Sequence, residues 1–262
     1  MLNLRSFSIF QRFLLLIAIV VFGLIVLSIS SLTHQYSSLK NEQYLKTQNV
    51  VETAYSVIEH YHQLEQNNIL TQAQAQTQAL AAIKALRYDK TNYFWVNNYQ
   101  PQMVMHPIKP GLNGKDLSNN KDPDGKALFV EMVNIVKQQK EGFIPYKWPK
   151  PGKDQPVDKV AFVKGFSPWQ WIIGSGVYLD SIDEAFSEQR NLIIISALVM
   201  IIAVILLSYF IGKSILTPTR LAADMMKNIS QGEGDLTRTL NESGNDEISE
   251  LSRSFNLFVL KM

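Results

Sequence analysis

The sequence predicts an α+β domain carried between two membrane-spanning helices and followed by a pair of short coiled-coil helices. Three observations predict it. Hydrophobicity is concentrated in two uncharged blocks, Phe13–Thr33 and Leu192–Gly212, each 21 residues long. Between them the apolar period changes, after Tyr88, from that of helices to that of strands. Beyond the second block two further segments return to helical spacing.

The blocks are long enough to matter. At 1.5 Å per residue, about 20 residues cross a hydrocarbon core ~30 Å thick. The first block is long for the apolar region of a signal peptide and lacks a small-x-small cleavage site at its end, so it reads as a retained anchor. Arg5 and Arg12 precede the first block, and Lys213 and Arg220 follow the second. These basic flanks place both termini in the cytoplasm, and Arg190 at the outer edge of the second block argues only weakly the other way. The expected organisation is a cytoplasmic N-terminus over 1–12, spans over 13–33 and 192–212, an outer domain over 34–191 and an inner module over 213–262. The outer domain, 158 residues long, is large enough to bury its own core.

Composition removes several function classes. The chain has no cysteine, which excludes disulfides, thiolate nucleophiles and Cys-ligated zinc. A net charge of +2 gives no electrostatic reason to expect nucleic acid. His60 and His62 lie two apart on a helical segment and face different sides. No His-Glu-x-x-His motif and no Gly-x-Ser-x-Gly motif is present. Asp122-Pro-Asp-Gly-Lys126 lacks the third acidic ligand and the closing glutamate of a calcium loop, and reads as a turn that starts a helix at Asp124. Gly174-Ser-Gly176 makes a poor phosphate cradle. No enzyme, metal or cofactor is expected.

From Tyr36 a helical pattern runs through Leu39, Val50, Ala54, Val57, Ile58, Tyr61 and Leu64 and breaks at Gln66–Ile69. An alanine-rich helix follows, with Ala79, Ile83 and Leu86 on one face. "YFWVNN" and "QMVMHP" then read as a hairpin. A helix with Leu128, Phe129, Met132, Val133 and Val136 on its apolar face separates them from three more strands, "GFIPYKWP", "DKVAFVKGF" and "WQWIIGSGVYL".

Strand periodicity puts Tyr93 and Trp95 on one face of their strand, and Tyr146 and Trp148 on one face of theirs, so the two pairs can line one cavity with Tyr178. Core packing accounts for the same aromatics, because tyrosine and tryptophan fill sheets well. His106 and Lys159 would add a hydrogen-bond donor and a charge, although each also fits an ordinary strand-end position. Arg87 stands where the alanine-rich helix meets the first strand. It could grip a carboxylate bidentately, but the favoured reading is a cation that complements the helix C-terminus.

Six segments in order resemble the single Cache domain, a PAS-like extracellular sensor module of bacterial receptors. They are "YFWVNN", "MVMHP", "GLNGKDLSNNKDPDGKALF", "PYKWPKPG", "DKVAFVKGF" and "WQWIIGSGVYLDSI", and the likeness covers about residues 36 to 185. Beyond the second block, "SILTPTRLAADMMKNISQ" carries a seam at Leu216, Leu221, Met225 and Ile229, with Pro218 placed in a first helical turn. "GEGDL" follows, then "DEISELSRSFNLFVL" with Ile248, Leu251, Phe255 and Leu257 or Phe258. This pair resembles the HAMP relay module, which implies a homodimer built on a parallel four-helix bundle.

The order anchor, Cache, anchor, HAMP is similar to the front of methyl-accepting chemotaxis receptors. That resemblance implies a bacterial inner-membrane receptor with a periplasmic sensor. Its chemotaxis kinase and coupling protein would dock on a C-terminal coiled coil that these residues do not include. Related single Cache receptors recognise short organic acids such as acetate, propionate, pyruvate or lactate, and in them the His-Pro pair closes the second strand beside the pocket. The expected ligand is therefore a small carboxylate, and the expected ligand-binding residues are Tyr93, Trp95, His106, Tyr146, Trp148, Lys159 and Arg87. Asp180–Glu184 would carry displacement into the second span. The alternatives are the sensor part of a histidine kinase or diguanylate cyclase, and a membrane-anchored module that binds a protein.

Overall fold

The computed structural model describes residues 6–89, 91–231 and 239–261. They fall into two units: Thr33–Arg190 is one, and the flanking segments before and after it form the other.

Thr33–Arg190 is built on a five-stranded antiparallel sheet of order β2-β1-β5-β4-β3. Its strands are β1 (Trp95–Asn98), β2 (Met103–Met105), β3 (Glu141–Pro149), β4 (Pro156–Phe166) and β5 (Trp171–Tyr178). β5 is buried at every position, because it lies at the centre and both faces are covered. Pro145 sits in β3, an edge strand, where a missing backbone N–H is tolerated. The order follows from the turns: β1 and β2 form a hairpin, β3 and β4 form another, and β5 closes between them.

Two helices cover one face. α1 (Ile9–Gln66) contributes Val51, Ala54 and Ile58, and α2 (Gln72–Ala85) contributes Ala75, Ala79 and Ile83. They pack on Phe94, Val96, Phe162, Trp171 and Ile173. Small alanines let α2 lie close to the sheet. Its start is set by a capping box in which Thr71 and Gln74 satisfy each other's backbone N–H groups. Between the helices the chain turns at Asn68, whose φ of 58° lies in the left-handed region that asparagine tolerates.

The other face is covered by α3 (Leu128–Gln139) and the connection that precedes it. Leu128, Phe129, Met132, Val133 and Val136 are all buried, at the spacing read from the sequence. The start of α3 differs from expectation. It begins at Leu128, with Ala127 as a cap that makes no side-chain bond, not at Asp124. Asp122 organises the turn instead: its Oδ1 accepts the N–H groups of Asp124 and Lys126, and its Oδ2 accepts that of Lys147 on β3.

α1 begins four residues before the first apolar block and runs 58 residues without a break, so the anchor and the first sensor helix are one element. α4 (Leu179–Ser230) begins at the residue after β5, so Asp180–Glu184 forms its first turns and no linker intervenes. Both helices have stretches long and apolar enough to cross a membrane. α4 also overturns one expectation: Pro218 lies deep inside it, not in a first turn. Proline removes a backbone donor there. The Thr219 hydroxyl next to it donates to the Ile215 and Leu216 carbonyls at 2.7 and 3.2 Å.

α5 (Glu247–Leu260) starts at Asp246, which caps Ser249 N–H. Phe255 packs with Ala222, Met225 and Leu240, and Asn256 pairs with both backbone groups of Leu240. Leu251, Leu257 and Phe258 remain exposed on this single chain. The "GEGDL" connector at 232–236 lies outside the described residues.

Candidate ligand-binding site

The α3 face of the sheet holds a buried lysine. Lys159 on β4 stands opposite Tyr146 on β3 and opposite Tyr178 on β5. Directly paired residues share a face, so the three side chains form one row. Tyr93, just before β1, completes the surround. The Lys159 ammonium lies 3.4 Å from the Tyr93 hydroxyl and 3.5 Å from the Tyr178 hydroxyl. It also sits 4.6 Å from the ring centres of both tyrosines and 5.5 Å from that of Trp95.

Lys159 is 2% exposed, and the ion pairs among the described residues all involve other lysines. Burial without a counter-charge pulls its pKa from 10.5 down to about 7. That shift disfavours the ammonium by roughly 5 kcal/mol relative to the neutral amine. Cation–π contacts with three rings offset part of this. The same burial pushes Tyr93 up to about 12 and Tyr146 well above 10, so the tyrosines stay neutral.

His106 forms the next wall. Its ring lies 5.0 Å from that of Tyr93 and 6.0 Å from that of Trp148. Nδ1 accepts the N–H groups of Ile108 and Lys109 at 3.3 and 2.9 Å. An accepting Nδ1 leaves the proton of the neutral ring on Nε2. Burial first, then the Lys159 and Lys109 ammoniums, lower the His106 pKa to about 3, so the ring stays a neutral donor at physiological pH. The backbone N–H of His106 is held by Asn113 Oδ1.

Trp148 closes the cluster, 9% exposed, with the Lys109 ammonium 4.8 Å from its ring centre and Phe129 edge-on to it. Asp122 clamps this wall, since it accepts the N–H of Lys147, the residue between Tyr146 and Trp148. Burial alone would raise the Asp122 carboxyl, but backbone N–H groups of Lys147, Lys126 and Asp124 hold it below the usual value.

Six of the seven residues singled out in the sequence thus meet in one cluster: Tyr93, Trp95, His106, Tyr146, Trp148 and Lys159. Arg87 does not join them. Its guanidinium donates to the Lys84 and Leu86 carbonyls at 2.7 Å each, at the end of α2, where freed carbonyls need donors. Trp95 uses its indole N–H on Asn97 Oδ1, which leaves its ring as a wall.

Sequence reasoning missed two glycines and Asp122. A Cβ at Gly174 would meet Trp95 Cζ2 at 2.5 Å, and one at Gly176 would meet Val160 O at 2.7 Å and Lys159 Cε at 2.9 Å. Gly174 and Gly176 alternate with Tyr178 on one face of β5, so these small residues open the floor on which Trp95 and the lysine stem lie. The only local signal was two glycines at period two inside a bulky strand.

Comparison with known proteins identifies the domains. Residues 24–198 match the Cache domain family, and residues 210–261 match the HAMP domain. Methyl-accepting chemotaxis protein McpP of Pseudomonas putida is 42% identical over 260 residues, covering 98% of this chain and 47% of that protein. Sensor histidine kinase MctS of Rhizobium johnstonii is 36% identical over 97 residues, 37% of this chain and 21% of that one. The chain therefore spans about half the length of McpP and less of MctS. Among solved structures, a periplasmic sensor domain of a chemotaxis protein is 45% identical, with a TM-score of 0.52, over 53% of this chain and 96% of that one. A Cache chemosensory domain described for its recognition of carboxylic acids is 48% identical, with a TM-score of 0.53, over 54% of this chain and 97% of that one. The chain belongs to the Cache-domain family of sensors and joins that sensor to HAMP in the manner of methyl-accepting chemotaxis receptors.

Proposed function

We propose that the sensor unit binds a short-chain monocarboxylate on Lys159 and that the receptor reports its periplasmic concentration through HAMP. The observation that carries this reading is a fully buried ammonium with no carboxylate partner among the described residues. An uncompensated buried charge is strongly unfavourable, and an anion is the group that relieves it. The Tyr93 hydroxyl and the His106 Nε2–H are hydrogen-bond donors within the same cluster, suited to the two carboxylate oxygens, whereas the Tyr178 hydroxyl donates to the Pro149 carbonyl at 2.9 Å. Trp95, Tyr146, Trp148 and Phe129 are the buried apolar side chains of the same cluster, suited to contact with a short apolar tail. One ammonium serves one carboxylate, and a second carboxylate would be buried against neutral groups. The related carboxylate-recognising Cache domain supports the ligand class.

The receptor is proposed to span the inner membrane twice with both termini in the cytoplasm, and to work as a homodimer through α1, α4 and HAMP. Because β5 runs into α4 without a linker, movement of Tyr178 on ligand binding passes directly into that helix. Only a ligand with different affinity for two packings of these helices can signal. A methyl-accepting output that docks the chemotaxis kinase is favoured over a histidine kinase output by the near-complete coverage in the McpP match.

Thermal unfolding of the sensor unit, 34–190, tests the ligand class. This unit contains both sheet cores, and an equivalent domain of a relative has been solved alone. Acetate, propionate, pyruvate and lactate are compared with amines, amino acids and dicarboxylates. A saturable upward shift with monocarboxylates is expected. Stabilisation by amines in their place, or by no small molecule, would overturn the reading.

A further inference from the structure

A cavity lies beside the Lys159 cluster and shares Tyr178 with it. It has a volume of about 470 Å³ and forms where α1, the β3–β4 turn and the first turns of α4 meet. That volume falls in the range of small-molecule sites. Its lining is unlike that of the buried cluster. Three lysines face it, Lys46, Lys150 and Lys153, against one lining carboxylate, Asp89.

The lysines are held in different ways. Lys46 is held by Asp89 at 2.6 Å. Lys150 reaches across to α4, 2.8 Å from Asp180 and 3.3 Å from the Ser181 hydroxyl. Lys153 has no ion pair among the described residues. The β3–β4 turn brings Lys150 and Lys153 to the same rim: Gly152 takes a φ of +74°, and the Lys153 N–H donates to the Lys150 carbonyl. Gln43, Thr91 and Asn92 add side chains able to donate, over a floor that includes Leu39, Val177 and Ile182.

We propose that this cavity is a second ligand site, for a small polyvalent oxyanion such as a di- or tricarboxylate or a phosphate. Three ammonium groups stand against two carboxylates, Asp89 in the lining and Asp180 beside Lys150, which leaves the Lys153 charge without an ion pair among the described residues, and Gln43, Thr91 and Asn92 add neutral donors to the lining. Charge-assisted hydrogen bonds from several fixed donors suit an anion with several oxygens. The buried cluster, with its single ammonium, suits one carboxylate; the open cavity suits a ligand of higher charge.

The location gives the site a consequence. Its walls come from α1 and from the start of α4, the two helices that leave the sensor. Tyr178 belongs to both sites: it lines this cavity, and its hydroxyl lies 3.5 Å from the Lys159 ammonium. Lys150 stands over the outer side of the same ring, 5.7 Å from its centre. An anion that draws Lys150 from Asp180 therefore changes the setting of Tyr178, and by linkage the two ligands alter each other's affinity.

Calorimetric titration of the whole chain in lipid nanodiscs tests the site. Lys159→Met is the background, so that the buried cluster does not contribute. Citrate and inorganic phosphate are titrated separately, which separates a carboxylate source from a phosphate source. Saturable one-to-one binding of at least one probe is expected. Adding Lys153→Glu, which breaks no ion pair, should weaken it by about tenfold or more, the order expected for losing one hydrogen bond to a charged group with repulsion from the new carboxylate added. Lys150→Gln should weaken it similarly. In the otherwise native chain, Lys153→Glu should leave propionate binding in place, so failure of this site is distinguishable from failure of the Lys159 reading. Absence of binding by both probes, or binding indifferent to both lysine substitutions, would overturn the proposal.

Discussion

Replacing Lys159 with methionine should make the sensor unit more stable and deaf at the same time. Methionine keeps an unbranched side chain of similar length and removes only the charge. At pH 6 both the folded and the unfolded chain carry the Lys159 proton, so the fold bears the whole penalty of the buried ammonium. Taken from the drop of 10.5 to about 7, and reduced by the ring contacts, the gain in Lys159→Met is on the order of 2–4 kcal/mol. For a unit of this size that raises the unfolding midpoint by roughly 5–15 °C.

The sign of the pH dependence is a second handle on the same substitution. Between about 7 and 10.5 the unfolded lysine still binds a proton that the folded one has released. Stability of the wild type therefore rises with pH across that window, by up to about 1.4 kcal/mol per unit, and the advantage of the methionine variant shrinks. The assay is thermal or urea unfolding of both proteins at pH 6, 7, 8 and 9, with and without propionate. A variant less stable than the wild type at pH 6 would refute the reasoning. So would a gap that does not narrow above pH 7, or a propionate shift that survives the substitution.

Other outcomes follow from the same geometry. Carboxylate affinity should be highest near pH 5–7 and fall above about pH 7, approaching tenfold per unit, as Lys159 loses its charge; calorimetry across pH 6–9 measures it. His106, depressed from 6.5 to about 3, binds a proton in the unfolded chain before it does in the folded one. Stability is thus lost as pH falls from about 6.5 toward 3, by up to about 1.4 kcal/mol per unit, and acid unfolding of His106→Asn should show a slope smaller by one proton. Gly176→Ala forces a Cβ against Val160 O and the Lys159 stem and should destabilise by about 1–3 kcal/mol while weakening propionate binding. Arg87→Gln should leave propionate affinity unchanged in the same titration and lower stability by only about 0.3–1 kcal/mol through loss of the α2 terminus cation.

Local chemistry determined a large part of this protein. Two uncharged blocks of 21 residues can only be helices that avoid water, and the change of apolar period after Tyr88 marks where helix gives way to sheet. The apolar face of α3 was legible residue by residue, because 3.6-residue periodicity and burial are the same statement for an amphipathic helix. The aromatic pairs Tyr93 with Trp95 and Tyr146 with Trp148 were legible as faces for the equivalent reason in strands.

Tertiary structure decided what periodicity does not encode. Lys159 was a candidate from the sequence, where its charge fitted a solvent-facing strand opening equally well; the order β1-β5-β4-β3 buried it by setting Tyr146 on one side of it and Tyr178 on the other. Burial of a charge is a property of the neighbouring strands and of the helix laid over them, not of its own segment. The same holds for Gly174 and Gly176, whose missing side chains matter only because Trp95 and the Lys159 stem cross β5. Arg87 is the contrary case: its place on the carbonyls at the end of α2 is local, and the sequence already favoured it as a helix-terminus cation. Pro218, placed at a helix start by its own preference, lies instead within one continuous helix, since the hydrogen-bond ladder of α4 on both sides outweighs a single lost donor.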